Sequence, residues 1–186
     1  MIEVSSNTQF YITGNTLFER INFTMVGITQ LRGGAIFSNL AQSYNLLEIS
    51  SCIFTGFKTS KVGGALFFQF NNPAQHVLRN LTFSLCEAGD GGAIYAELYE
   101  GGKLTLSGSC SFTDCKATSV SGQGGGINAS IQDMNSQLVL EDSITFKRCS
   151  GRRGGGLSLF IYNNGSFTMT GSCLFTYCNS NVYGGG

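Results

Sequence analysis

The chain has 186 residues, eleven basic and eleven acidic side chains and no net charge, so it offers no electrostatic footprint for nucleic acid or an anionic membrane. Charged residues make up only 12% and glycines number 26, yet a hydrophobic content of 42%, mostly Phe, Ile and Leu, excludes a disordered glycine-rich segment. The longest apolar runs are a few residues, too short for a membrane-spanning helix, and the opening MIEVSSNTQF has neither the basic nor the apolar region of a signal peptide.

Read from the N-terminus, the chain repeats itself. A double glycine followed by a small and an aliphatic residue occurs as GGAIF at Gly33, GGALF at Gly63, GGAIY at Gly91, GGGIN at Gly124 and GGGLS at Gly154, with a last GGG at Gly184. Successive starts lie 30, 28, 33, 30 and 30 residues apart, and a period in this range marks a repeat architecture. One phenylalanine precedes each motif by eight to twelve residues, giving the column Phe23, Phe54, Phe83, Phe112, Phe146 and Phe175. Ahead of these lie short alternating stretches, at Leu46 to Ile49, Val77 to Leu81, Leu104 to Leu106, Leu138 to Leu140 and Ser166 to Met169. After the glycines come others, such as Ala35 to Phe37 and Ala65 to Phe68. Alternation over a few residues predicts half-buried strands, about three per repeat, and no stretch sustains a helical period.

Repeats of this length, each holding short strands and stacked on copies of themselves, predict an all-β fold: a single-stranded parallel β-helix of about six coils of roughly 30 residues, one domain over residues 1–186. Equivalent residues then lie about 4.8 Å apart in neighbouring coils, so like side chains form inward ladders. A propeller blade needs about 40 residues, and leucine-rich repeats carry a different signature. The doublets Gly33-Gly34, Gly63-Gly64, Gly91-Gly92, Gly124-Gly125 and Gly154-Gly155 fit corners where the backbone needs positive φ, or where a side chain would clash with the next coil. The final glycine triplet, which elsewhere opens a strand, suggests a segment of a longer protein.

These motifs resemble the repeats of the chlamydial polymorphic outer membrane proteins, whose passenger domains carry many copies of GGA[ILV] and FxxN. GGAI at Gly33 and Gly91 and GGAL at Gly63 match outright, while GGGI at Gly124 and GGGL at Gly154 carry Gly for Ala. The Phe of FxxN is present throughout, but its Asn is replaced by Val26, Phe57, Cys86, Cys115, Cys149 and Cys178. Similar FxxC repeats are expected in protist surface proteins. The resemblance implies a right-handed β-helix, a cell-surface or extracellular location (the outer membrane in a bacterium), membrane contact only through segments outside this chain, and adhesion to glycan or a host surface protein.

Other residues invite chemistry. Cys86, Cys115, Cys149 and Cys178 lie three after the ruler Phe, and Cys52, Cys110 and Cys173 two before it. Disulfides between rungs are within Cα reach, but parallel Cβ vectors strain them. Zinc wants converging CxxC or His ligands; buried thiols filling small inward positions are the plainer reading. His76, the only histidine, reads as a solvated loop residue, and Glu87, Asp90, Glu97, Glu100, Asp133, Glu141 and Asp142 as solvated turn charges. Arg32, Lys61, Arg152 and Arg153 precede glycine doublets, as a basic strip for an anionic glycan or as scattered charges. The doublets lack the Gly-Lys-Ser/Thr of a phosphate cradle. Sequons begin at Asn22, Asn80, Asn128 and Asn164. No catalytic, cofactor or metal residues are assigned. The sequence therefore predicts a non-enzymatic, adhesive repeat segment, with a pectate-lyase-like β-helix enzyme acting on carbohydrate as the alternative.

Overall fold

The computed structural model describes residues 2–4, 10–12, 16–19 and 32–184. The chain winds as a β-solenoid of about 5 turns of about 29 residues. Six glycine corners bound the five full turns, and the strands described ahead of Gly33 belong to a further coil, in keeping with the about six coils expected from the sequence. Among the described residues there is no helix, and every strand pairing is parallel.

Each turn crosses the faces of the rod in a fixed order. The first sheet stacks Ile2–Val4, Ile36–Leu40, Leu66–Asn71, Ile94–Tyr99, Ile127–Ile131 and Leu157–Ile161. The second stacks Phe10–Ile12, Leu47–Ser50, Gln75–Arg79, Lys103–Ser107, Gln137–Leu140 and Ser166–Met169. The third stacks Thr16–Glu19, Cys52–Thr55, Thr82–Ser84, Ser109–Thr113, Ser143–Lys147 and Ser172–Thr176. A fourth, shorter sheet joins Glu87–Ala88, Lys116–Ala117, Ser150–Arg153 and Asn179–Tyr183. Three strands per repeat were expected from the sequence. The fourth was missed because Glu87–Ala88 and Lys116–Ala117 are too short to show alternation and Ser150–Arg153 has no apolar side chain to show it with.

Register makes the ladders. Phe54, Phe83, Phe112, Phe146 and Phe175 stand in one column, and their rings stack at 5.0, 4.8, 4.8 and 4.8 Å between centroids. The first four are fully buried, while Phe175, on the last coil, is half-buried. Phe23 lies outside the described residues, and the residue in register with Phe54 is Phe18. On the first sheet Ile36, Leu66, Ile94, Ile127 and Leu157 form a second column. The next inward position holds Ser38, Phe68, Ala96 and Ala129, so one bulky ring is accommodated by small neighbours on its own column.

The glycine doublets meet both requirements proposed for them, one at each position. Gly63 and Gly91 have φ of +66° and +60°, a region costly to side chains bearing Cβ. The second glycine has a different reason. A Cβ on Gly64 would stand 2.0 Å from the carbonyl oxygen of Gly92 in the adjacent coil, and one on Gly92 would stand 2.1 Å from that of Gly125. The coils are thus held at backbone contact where the chain turns from the fourth sheet to the first.

Candidate functional site

The length of that turn varies from coil to coil. Lys58, Glu87, Lys116 and Ser150 occupy equivalent positions on the fourth face, and they precede their glycine doublets by 5, 4, 8 and 4 residues. The longest turn, Thr118–Gln123, therefore stands next to one of the shortest. Its excess residues project beyond the surface instead of entering the core, and a cleft of about 480 Å³ forms beside them.

The cleft is lined by Lys58, Thr59 and Ser60 from one coil, Glu87 and Gly89 from the next, and Thr118 and Ser119 from the third. Gly89 lets its coil lie against the one before it: a Cβ there would meet the carbonyl oxygen of Lys61 at 2.4 Å. The outer wall is fastened to the coil beneath it. Thr118 donates its N–H (2.8 Å) and its hydroxyl (2.9 Å) to the carbonyl of Ala88, and Ser119 N–H donates to that of Gly89 at 3.0 Å. Asp90 Oδ1 accepts the Ser119 hydroxyl at 3.2 Å and Gln123 N–H at 2.9 Å. Within the turn, Gly122 N–H closes back on Ser119 O at 2.8 Å. On the inner wall Lys58 Nζ lies 3.4 Å from Glu87 Oε2, with both side chains partly exposed. One contact uses a single donor of an ammonium that has three and a single acceptor site of a carboxylate that has about four, leaving both free to bind elsewhere. The arrangement presents hydrogen-bonding groups from three successive coils.

Asp90 and Glu87, read as solvated turn charges, both contribute here, one as the wall's anchor and the other as lining. Glu97 is a correction: it sits mid-strand on the outer side of the first sheet, where burial pushes its carboxyl up against the opposing pull of Arg32. Beside it Tyr95, raised to about 12 by burial and then by Glu97, continues the outward stack of Phe37 and Phe67. That stack is closed, since Phe67 is fully buried although it alternates away from the core. Asn128, in register with Tyr95, is 4% exposed, so the sequon there is sealed in the folded chain. The Asn80 and Asn164 sequons sit at surface turns, and Asn22 lies outside the described residues. Glu100, Asp133 and Asp142 occupy left-handed turn residues on other corners, so the acidic side chains do not share one column.

His76 is also a correction. It is an inward residue of the second sheet, in register with Leu104 and fully buried. Its Nδ1 accepts the N–H of Leu47 at 3.1 Å, its Nε2 donates to Asn72 Oδ1 at 3.2 Å, and its ring stacks on Phe70 at 3.7 Å. The basic strip is broken: the column starting at Arg32 runs through Val62 and Asp90 before Gln123 and Arg153.

The cysteines of the described residues are thiols. Cys86, Cys115 and Cys149 are fully buried and donate to carbonyls such as Ser84 O and Phe112 O. Cys115 also shares hydrogen bonds with Cys86 and Cys149, and burial pushes its thiol well up. Burial likewise raises Cys110, Cys173 and Cys178. Cys149 is the exception, its thiol lowered by the hydrogen bond with Cys115; for the raised thiols, protonation makes a poor nucleophile and a poor metal ligand. Among the described residues no three His, Cys, Asp or Glu side chains are placed to hold a metal ion, and no helix is long and apolar enough to cross a membrane.

Sequence reasoning missed Lys58, Ser60, Gly89, Thr118 and Ser119. The available signal was the change in spacing from 28 to 33 residues between neighbouring repeats. Comparison of the chain with protein-family models, curated proteins and solved structures gave no match.

Proposed function

We propose that this solenoid is a structural and adhesive segment of a large cell-surface or secreted protein, in which the stacked core supplies a rigid support and turns of unequal length make contact with glycan or with a host surface protein. The observation that carries this reading is the Thr118–Gln123 turn. It lengthens one coil, leaves the Phe83, Phe112 and Phe146 stack at 4.8 Å spacing, and creates a polar recess on the outside. Recognition of this kind works through many weak polar contacts on a surface that need not rearrange on binding. The resemblance of the glycine and phenylalanine repeats to those of surface-displayed β-helices points the same way.

The test is to present the full chain to an immobilised array of neutral and acidic glycans, and to incubate it separately with polygalacturonate while following release of unsaturated product. Saturable glycan binding without product release supports the adhesive reading. Turnover of the polysaccharide, or absence of binding across the array, counts against it.

A further inference from the structure

We propose that the cleft beside Gly89 is a subsite for one neutral sugar unit of a glycan. This rests on the adhesive reading above and makes it specific.

The argument is one of complementarity. The cleft volume of about 480 Å³ falls within the range of small-molecule sites. Its lining carries one cation and one anion, Lys58 and Glu87, so its formal charge is zero. A phosphate, sulfate or carboxylate brought to Lys58 would face the Glu87 carboxylate 3.4 Å from it, and a cation brought to Glu87 would face the ammonium. No aromatic side chain lines the space, so a nucleobase has nothing to stack on, and the only apolar surface is that of the Lys58 stem and the Thr59 and Thr118 methyl groups set among polar groups. What remains is a neutral ligand dense in donors and acceptors.

Adjacent sugar hydroxyls fit the groups present. One can donate to a free lone pair of Glu87 while its neighbour accepts from Lys58, each charged partner giving the stronger kind of hydrogen bond. Ser60 adds a hydroxyl on the same coil as Lys58. The Thr118 hydroxyl, whose proton is committed to Ala88 O, presents acceptor lone pairs from the opposite wall. The outer wall is set before any ligand arrives, by the five hydrogen bonds that Thr118, Ser119 and Gln123 make to the coil of Ala88–Asp90. Little ordering is left for binding to cost, and a weak polar site benefits most from that.

The experiment uses the full chain, an array of oligosaccharides ending in neutral hexoses or N-acetylhexosamines, and matched sialylated and sulfated forms, followed by titration calorimetry of the strongest binders. Glu87→Gln and Lys58→Met alter the cleft, Ser60→Phe fills it, and Glu48→Gln on the second sheet is the distant control; thermal unfolding checks that each variant folds. The expected result is binding of a neutral terminal sugar, weakened at least tenfold by Glu87→Gln and by Ser60→Phe and unchanged by Glu48→Gln. Should glycan bind within twofold of the unaltered affinity in all three cleft variants, or bind only when acidic, the subsite is overturned and the adhesive reading stands. If the unaltered chain binds no glycan, the adhesive reading loses its glycan ligand and the subsite goes with it.

Discussion

His76 makes the solenoid sensitive to acid, and the size of the effect follows from its surroundings. Burial holds its pKa at about 3, against an ordinary value of 6.5. The Leu47 N–H occupies Nδ1, so the nitrogen that must take up the second proton already faces a donor. Between those two pH values the unfolded chain binds the proton and the folded chain does not, so stability is complete above about 6.5 and falls as pH drops toward 3. At about 1.4 kcal/mol per pH unit, the loss is about 3 kcal/mol by pH 4.5 and about 5 kcal/mol once the folded form titrates. Replacing the imidazole by Leu, the residue type in register at position 104, removes the titrating group. His76→Leu also leaves the buried Leu47 N–H without its acceptor, costing about 1–3 kcal/mol at pH 7. Urea unfolding at pH 7 and pH 4.5 separates the two effects. The variant should be the less stable protein at pH 7 and lose about 3 kcal/mol less than the parent on acidification. If the parent and variant stability curves run parallel, the buried-imidazole argument is wrong.

Gly64→Ala should destabilise by about 3 kcal/mol or more, because the new methyl meets the Gly92 carbonyl at 2.0 Å and neither backbone can retreat without opening the stack; chemical denaturation measures this. Phe112→Ala should cost about 3–5 kcal/mol, and the half-buried Phe175 clearly less, so equal losses at the two positions would contradict the ladder. In native buffer at pH 8, Ellman's reagent should label Cys173 and Cys178 first and reach Cys86, Cys115 and Cys149 only on unfolding; prompt labelling of Cys115 would contradict its burial.

The ladders were legible because a stacked fold writes its register into the chain. Phe83, Phe112 and Phe146 recur because each ring can be covered only by an equivalent ring one coil away. The first rung of the column, Phe23, lies outside the described residues. Phe23 lies 31 residues before Phe54, close to the period, whereas Phe18, the residue in register with Phe54, lies 36 before it. His76 was hidden because Gln75-His76-Val77 looks polar. Alternation with Leu78 puts the imidazole and Leu78 on the same inward side, but only the neighbouring coils reveal that Phe70, Asn72 and the Leu47 N–H are waiting for it. The cleft was the least legible feature, since it depends on two turns that are unremarkable separately and make a recess only when placed side by side.

Magnitudes explain why variation gathers in those turns. Doubling a connection from four residues, as between Glu87 and Gly91, to eight, as between Lys116 and Gly124, costs about 0.6 kcal/mol in loop closure. Losing a single buried phenylalanine costs about 3–5 kcal/mol. Phe112 precedes the long turn and Phe83 the short one, yet their rings stack at 4.8 Å. The core therefore does not register how far the chain travels outside it. Surface shape can change one coil at a time under conditions where ladder positions cannot, and a binding recess on such a rod is expected where adjacent turn lengths differ most. In the described coils the turn preceding Gly124 is four residues longer than those preceding Gly91 and Gly154 on either side of it, and the cleft lies on the Gly91 side, lined by Gly89 and by Ser119 of the long turn.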